Sequence, residues 1–380
     1  MSEAGIGLFD LTHGWAGQRE AAMATFERIA SAGDFSLGAD LESFENEFAT
    51  YCETAHCVGV SSGTAALALA LRAVGAGPGR EVVTVANTFV ATVEAIAQTG
   101  ATPVLIDVDP VTRCMDPAAL RTAIGPRTAA AVPVHLYGRP APMDAIREIC
   151  DAADVAVVED AAQAAGARLR RQPAGSMGAA GCFSFYPTKN LGAMGDGGAV
   201  VTDDDALAAA VRSLRHHGSA AGDANRHVRA GGTERLDNLQ AALLRLKLPR
   251  LDADNDERRA VADRYRARLA DLPLVLPPLD GPDERSVYHL FVVEVAERDR
   301  VREALRRDGI GASVHYPTPV HLQPAWRRLG YIRGDLPVSE QLAARALSLP
   351  VFPGLVEAGV ERVCAALQRA LAGASAPTSA

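Results

Sequence analysis

From Cys57 onward the chain alternates short apolar runs with stretches of helical length. The runs Cys57–Val60, Val82–Ala86, Thr102–Val108, Ala129–His135 and Val155–Glu159 predict strands. Helices are predicted between them: Thr64–Val74, which starts on a hydroxyl residue and stops before Gly75, then Val90–Gln98, a short one after Pro117, and Pro142–Ala152. Strands that are apolar throughout, each followed by a helix, predict a parallel sheet covered on both faces. After Asp160 the period changes. No long helix fits between Ala164 and Gly181, and Cys182–Tyr186 and Ala199–Thr202 read as neighbouring strands joined by a Gly-rich loop. The polar stretch His216–Gly232 reads as a long loop. A helical pattern then runs from Leu236, is interrupted at Pro249, and continues toward Leu269. Beyond the Pro-rich segment Leu272–Pro282 the order is strand (Tyr288–Val295), helix (Arg298–Asp308), strand (Gly311–His315), helix (Ser339–Ala346) and a last helix from Glu357. The start of the chain reads as helix and loop, with an amphipathic stretch Leu41–Cys52, and the small, polar tail Gly373–Ala380 is expected to lack fixed structure. The fold class is α/β, with a large domain over residues 1–250 and a small α+β domain over 251–380.

A chain of 380 residues exceeds one simple core, which agrees with two domains. The net charge of −8 and scattered arginines argue against a nucleic-acid partner. No apolar run reaches membrane-spanning length, and no export signal is read at Met1-Ser2-Glu3-Ala4, so the expected location is cytoplasmic. The six cysteines form no CxxC pair and are taken as reduced thiols; no metal is called for.

In open α/β sheets ligands bind outside the carboxyl ends of the strands, and several candidate groups fall there. Gly63-Thr64 opens a helix after a strand, where backbone N–H groups can hold an anion; a plain N-cap explains the same residues. Phe89 ends the next strand and suits either a flat ring or the core. Asp160 ends an apolar strand. It serves equally as the N-cap of a short helix or as a carboxylate that keeps a pyridine nitrogen protonated. Gln163 follows three positions later, and Ser184 stands on the strand before the Gly-rich loop. Lys189 is the decisive residue. It follows Phe183-Ser184-Phe185-Tyr186-Pro187-Thr188, precedes a Gly-rich run, and lies 29 positions after Asp160; the other lysine is Lys247. A lysine whose amine condenses with an aldehyde and an acid for a ring nitrogen are what pyridoxal phosphate chemistry requires.

With these residues in order, the chain resembles the DegT/DnrJ/EryC1/StrS family of pyridoxal-phosphate-dependent sugar aminotransferases. The resemblance runs from Gly33-Asp34-Phe35-Ser36-Leu37-Gly38 to Ser348-Leu349-Pro350-Val351-Phe352-Pro353-Gly354. It passes through Ser62-Gly63-Thr64, Asn87-Thr88-Phe89, His135-Leu136-Tyr137-Gly138, Glu159-Asp160-Ala161-Ala162-Gln163, Tyr186-Pro187-Thr188-Lys189-Asn190, Gly195-Asp196-Gly197-Gly198 and His315-Tyr316-Pro317. It implies the fold type I aminotransferase architecture, a mixed but mostly parallel seven-stranded sheet, and a homodimer with shared active sites. By matching positions, Lys189 would carry the cofactor and Asp160 would meet the ring nitrogen. Gln163 would contact the ring hydroxyl and Phe89 would stack on the ring. Gly63, Thr64 and Ser184 would hold the phosphate. His315, Tyr316 and Tyr186 would lie near the substrate. The family often has an asparagine that reaches the phosphate from the neighbouring subunit. Here Thr233 stands in that place, followed by Glu234 and Arg235, for which an interface or packing role is read.

The implied reaction moves an amino group from L-glutamate to a keto-sugar carried on a nucleotide, with a dTDP-linked keto-6-deoxyhexose as the chosen substrate. The residues do not separate a ketone at C3 from one at C4, and C4 is the reading adopted. Deaminating relatives replace the lysine with histidine, so Lys189 favours transamination. Arg226, His227 and Arg229 would meet the nucleotide diphosphate across the dimer, or form a solvated basic loop. A keto-cyclitol substrate and a non-catalytic regulator that binds the cofactor are the alternatives.

Overall fold

The computed structural model describes residues 5–372; the tail expected to lack structure and the four N-terminal residues lie outside them. Seven strands form the main sheet: β1 (His56–Val60), β2 (Glu81–Val85), β3 (Thr102–Ile106), β4 (Thr128–Val132), β5 (Ala156–Asp160), β6 (Ala180–Ser184) and β7 (Gly198–Thr202). Their order is β1-β7-β6-β5-β4-β2-β3. Every neighbouring pair is parallel except the two made by β7, which runs antiparallel to β1 and β6. This is the mixed sheet that the strand pattern and the resemblance predict.

The apolar runs are explained by burial on both faces. Successive residues of β5 enter opposite cores: Val158 packs with Leu67, Leu71 and Val211, and Val157 with Met143, Ile146 and Ile149. The helix α1 (Gly63–Ala73) begins where Ser62 Oγ accepts the amide of Ala65 at 3.1 Å. It ends where Gly75 takes φ 88°, letting the amide of Ala76 return to the carbonyl of Leu71 at 2.9 Å. One helix that the sequence pattern left unassigned, α2 (Asp205–Arg215), covers the same face of the sheet and is capped by Asp204.

The C-terminal part has its own antiparallel sheet, with β9 (Phe291–Val295) between β8 (Leu274–Val275) and β10 (Ala346–Leu349). The helices α3 (Leu251–Leu269), α4 (Arg298–Arg307) and α5 (Glu357–Ala372) pack on it through Tyr265, Leu305 and Leu367. Two polar contacts, one buried and one half-buried, join the C-terminal part to the segment that follows β3. Arg113 donates to the carbonyl of Val292 at 2.8 Å and to Glu294 at 3.0 Å, and Asp107 accepts the amides of Val338 and Ser339, each at 2.8 Å.

Two expectations are corrected. Gly311–His315 is not a strand, because the N-terminal segment occupies that line: Ile6 pairs with Ile310, and the amide of Gly311 donates to the carbonyl of Ile6 at 2.7 Å. The sheet position goes to β10, which the pattern had read in part as helix; only Ser313 bridges to Ser348. The stretch His216–Gly232 is not without structure either. Ser219–Ala220 pairs with Asp223–His227 around Gly222, whose φ of 74° supplies the turn.

Candidate active site

The carboxyl ends of β1, β2, β5 and β6 open onto a cavity of about 360 Å³ lined by Gly63, Thr64, Phe89, Asp160, Gln163, Ser184, Tyr186, Lys189, His315 and Tyr316. Residues far apart in the chain are therefore brought together as the motifs predict. At the floor, Gly63 begins α1 against the end of β6. A Cβ on Gly63 would stand 2.7 Å from Ser184 Cβ, so the two backbones meet this closely only because residue 63 lacks a side chain. The first amides of α1, the Thr64 hydroxyl and the Ser184 hydroxyl line one end of the cavity, an arrangement that suits a phosphate.

Asp160 lines the same cavity and is almost wholly buried. Its Oδ2 accepts the Thr92 hydroxyl at 2.8 Å and its Oδ1 accepts the amide of Ala162 at 3.2 Å. Since a carboxylate only accepts, the Thr92 proton points to Asp160, and Thr92 Oγ1 is free to accept from Thr88 at 2.9 Å. Burial pushes the Asp160 carboxyl above its ordinary value, opposed by the Thr92 hydroxyl, the Ala162 amide, Lys189 and His135. The preceding residue, Glu159, is held behind the site. It accepts the amides of Gly175, Met177 and Gly178 at 2.8, 2.6 and 2.6 Å and His135 Nε2 at 2.8 Å. His135 Nδ1 accepts the Ala141 amide at 2.9 Å, so the proton sits on Nε2. This set of donors offsets the cost of burying Glu159 and fixes the end of β5.

Lys189 stands in the turn after β6, where its amide donates to the carbonyl of Tyr186 at 2.8 Å. Part of the residue faces the cavity, yet its surroundings are apolar enough for burial to pull the amine down to about 8, with the negative charge of Asp160 acting the other way. Gln163 is no surface residue. Its Oε1 accepts the Tyr137 amide at 2.7 Å and its Nε2 donates to the Tyr316 hydroxyl at 3.0 Å. Tyr137 adopts φ 61° to make that contact. At the mouth, the ring of Phe89 lies 5.5 Å from that of Tyr316, while Phe89 and Tyr186 are each about half exposed. His315 Nδ1 meets Ser348 Oγ at 2.8 Å; burial first, then Lys189, lower it to about 4.

Four predicted residues lie outside this cavity within one chain. Thr233 lines a second hollow with Ser36, Ser61, Arg235 and Asp237, and its hydroxyl meets His217 Nε2 at 3.2 Å. Arg226, His227 and Arg229 lie on or beside the exposed hairpin. Asp196 borders both spaces. Arg235 donates to His216 Nδ1 at 2.9 Å. In turn, sequence reasoning missed Thr92, Asp196, Phe9 and His289, which also line the cavity. Thr92 and His289 carried no motif of their own: one is a hydroxyl within an apolar helix, the other a histidine before an apolar strand.

Elsewhere, His13, Asp254 and Glu257 bring ligand-type atoms within 4.8 Å of one another, but Glu257 already accepts the amide of Gly354 at 2.7 Å. All six cysteines are unpaired and buried. Among the described residues no helix is long and apolar enough to cross a membrane.

Comparison with known proteins agrees with this geometry. The model of the DegT/DnrJ/EryC1/StrS aminotransferase family matches residues 17–368. The dTDP-3-amino-3,4,6-trideoxy-alpha-D-glucose transaminase of Streptomyces venezuelae is 47% identical, over 91% of this chain and 90% of that protein. The erythromycin biosynthesis sensory transduction protein EryC1 of Saccharopolyspora erythraea is 48% identical, over 90% of this chain and 93% of that protein. The crystal structure of S. venezuelae DesV with a ketimine intermediate superposes with a TM-score of 0.93 at 45% identity, covering 97% of this chain and 98% of DesV.

Proposed function

We propose that this chain, which belongs to the DegT/DnrJ/EryC1/StrS aminotransferase family, transfers an amino group from L-glutamate to C3 of a dTDP-linked keto-6-deoxyhexose. It is a pyridoxal-phosphate-dependent sugar aminotransferase. The donor, the nucleotide and the carbon aminated are our reading. C3 replaces the C4 expected from the sequence, because the S. venezuelae relative is named for a 3-amino sugar.

The observation that carries this reading is the placement of Lys189 and Asp160 in one cavity with an anion cradle at Gly63, Thr64 and Ser184. The residues fit the cofactor: the cradle suits its phosphate, Asp160 its ring nitrogen, Phe89 its flat face and Gln163 a ring hydroxyl. When bound, the cofactor supplies an aldehyde carbon that carries nitrogen and a ring that draws electrons from the substrate carbon. Everything else is done by the chain. Asp160 would keep a ring proton in place, and the Thr92 hydroxyl favours the ionised form of Asp160 against burial. Lys189, near 8, gives and takes protons at neutral pH. Phe89 and Tyr316 stand ring to ring at the mouth, 5.5 Å apart. The donor leaves as its oxo acid and the ketone leaves as an amine, so nitrogen and electrons balance.

We also take the site to be completed by a second copy, with Thr233 and the Arg226–Arg229 hairpin serving the partner's cavity. Their exclusion from the cavity of their own chain supports this. The buried, unpaired thiols suit the cytoplasm.

The test is a panel of dTDP- and UDP-linked keto-sugars and keto-cyclitols incubated with L-glutamate and the holoenzyme, read by mass spectrometry. A 3-amino sugar nucleotide is the expected product; an aminated cyclitol or no product overturns the assignment. A sensor that holds the cofactor without turnover is the second reading, favoured by the name of the S. erythraea relative. L-glutamate alone separates the two, since only an aminotransferase converts its absorption to that of the aminated cofactor.

A further inference from the structure

Tyr137 does not line the cavity, yet it touches two residues that do. It sits buried in the turn Leu136–Gly138 that follows β4, with φ 61°. Its amide donates to Gln163 Oε1 at 2.7 Å. Its hydroxyl donates to the carbonyl of His315 at 2.5 Å, since a carbonyl can only accept. Gln163 Nε2 in turn donates to the hydroxyl of Tyr316, the residue after His315, at 3.0 Å. The three contacts close a circuit, from Tyr137 to Gln163, across to Tyr316, and back along the chain through His315. Its base is fixed from behind, where the amides of Val287 and Leu290 donate to the carbonyls of Gly138 and Tyr137 at 2.9 and 3.3 Å.

The circuit also sets the direction of each hydrogen bond in it. With the Tyr137 N–H against Oε1, turning the Gln163 amide over would set donor against donor, so Nε2 is held toward Tyr316. The Tyr316 oxygen therefore accepts. Burial, and after it Tyr137, hold the Tyr316 hydroxyl well above its ordinary value, so it keeps its proton. Neither that proton nor the second N–H of Gln163 has an acceptor among the described residues, and both side chains line the cavity. We propose that Tyr137 is a positioning residue for this pair: its amide orients Gln163 and its hydroxyl holds the His315–Tyr316 segment, leaving the remaining protons of Gln163 and Tyr316 to an acceptor oxygen of a bound ligand. This deepens the proposed function, by naming what sets the polarity of one wall of the site, and rests on it.

The experiment uses the full chain freed of cofactor. N-acetylimidazole acetylates tyrosine hydroxyls, and peptide mass spectrometry reads the rate at each site, with the half-exposed Tyr186 as internal standard. Tyr137→Phe keeps the aromatic ring and the amide and removes only the tie to His315. It is expected to raise the rate at Tyr316 about two- to tenfold, the range set by the loss of one neutral hydrogen bond, and to leave Tyr186 unchanged. An unchanged rate at Tyr316 overturns the proposal. So does an equal rise at both sites, which a general loosening would produce. If Tyr137→Phe fails to fold, Gln163→Leu decides: deuterium exchange at the Tyr137 amide and acetylation of Tyr316 are both expected to quicken, and either one unchanged overturns the proposal. Where the product panel shows turnover, Tyr137→Phe is expected to raise the KM for the keto-sugar nucleotide about fivefold, with kcat within about twofold; a fall in kcat with KM unchanged overturns it. The acetylation and exchange measurements involve neither cofactor nor substrate, so their outcome is independent of the product panel, which decides whether the protein aminates a sugar.

Discussion

Thr92 Oγ1 stands 2.8 Å from Asp160 Oδ2 and, because the carboxylate cannot donate, commits its proton to that contact. A buried hydrogen bond to a charged group contributes about 1.5–3 kcal/mol, or about one to two pKa units. Thr92→Val is therefore expected to raise the Asp160 pKa further. The acid limb of the holoenzyme's pH–absorbance curve should move to higher pH, and turnover at pH 7 should fall several-fold. Thr88→Val, one bond further away, should do much less. A curve that does not move in Thr92→Val removes the role given to Thr92.

Asp160→Asn is expected to abolish turnover without weakening the cofactor-free fold. The folded pKa of Asp160 lies above its unfolded value, so the ionised side chain costs stability above the folded pKa, and the cost fades as pH falls toward the unfolded value. The amide carries no such cost. Thermal unfolding of the cofactor-free proteins at pH 7 should show the variant at least as stable as the parent.

Lys189 has the opposite sign. Its amine is lowered to about 8 in the fold, so the protonated form costs stability below that pH, and the cost is relieved as pH rises through 8 toward the ordinary lysine value. Covalent uptake of pyridoxal phosphate should accelerate between pH 7 and 9. Lys189→Ala should form no borohydride-trappable bond to the cofactor and turn over nothing; activity in that variant would end the assignment.

Gly63→Ala places a methyl group 2.7 Å from Ser184 Cβ. Overpacking of this kind costs about 1–3 kcal/mol. Because the clash lies in the anion cradle, cofactor affinity measured by fluorescence titration should drop at least about tenfold, a factor worth 1.4 kcal/mol.

His135→Ala leaves Glu159 with its three amide donors but no side-chain donor in the core. Losing that hydrogen bond costs about 1.5–3 kcal/mol, which urea unfolding should show as a lower midpoint with little change in slope.

How much of this was legible in the sequence depended on which force set each feature. The strands of the main sheet are buried on both faces, so continuous apolar runs such as Val157-Val158 announce them, and Asp160 and Lys189 stand out where those runs end. Gly311–His315 looked like a strand by the same rule. Its neighbour was decided instead by Ile6, three hundred residues away in sequence, which no local pattern encodes. The helix capped by Asp204 hid behind a polar start. Thr92 was silent because its role comes from what lies opposite it, a carboxylate.

The bolts at Arg113 and Asp107 carry a consequence for how a bulky sugar nucleotide gets in. Both tie the C-terminal part to the segment after β3 through charge-assisted contacts, that of Arg113 buried and that of Asp107 half-buried. Swinging the two parts apart would strip the buried Arg113 guanidinium of its partners at Val292 and Glu294. Admission is thereby left to the doorway itself, which is already open in part, with Phe89 and Tyr186 each about half exposed beside Tyr316.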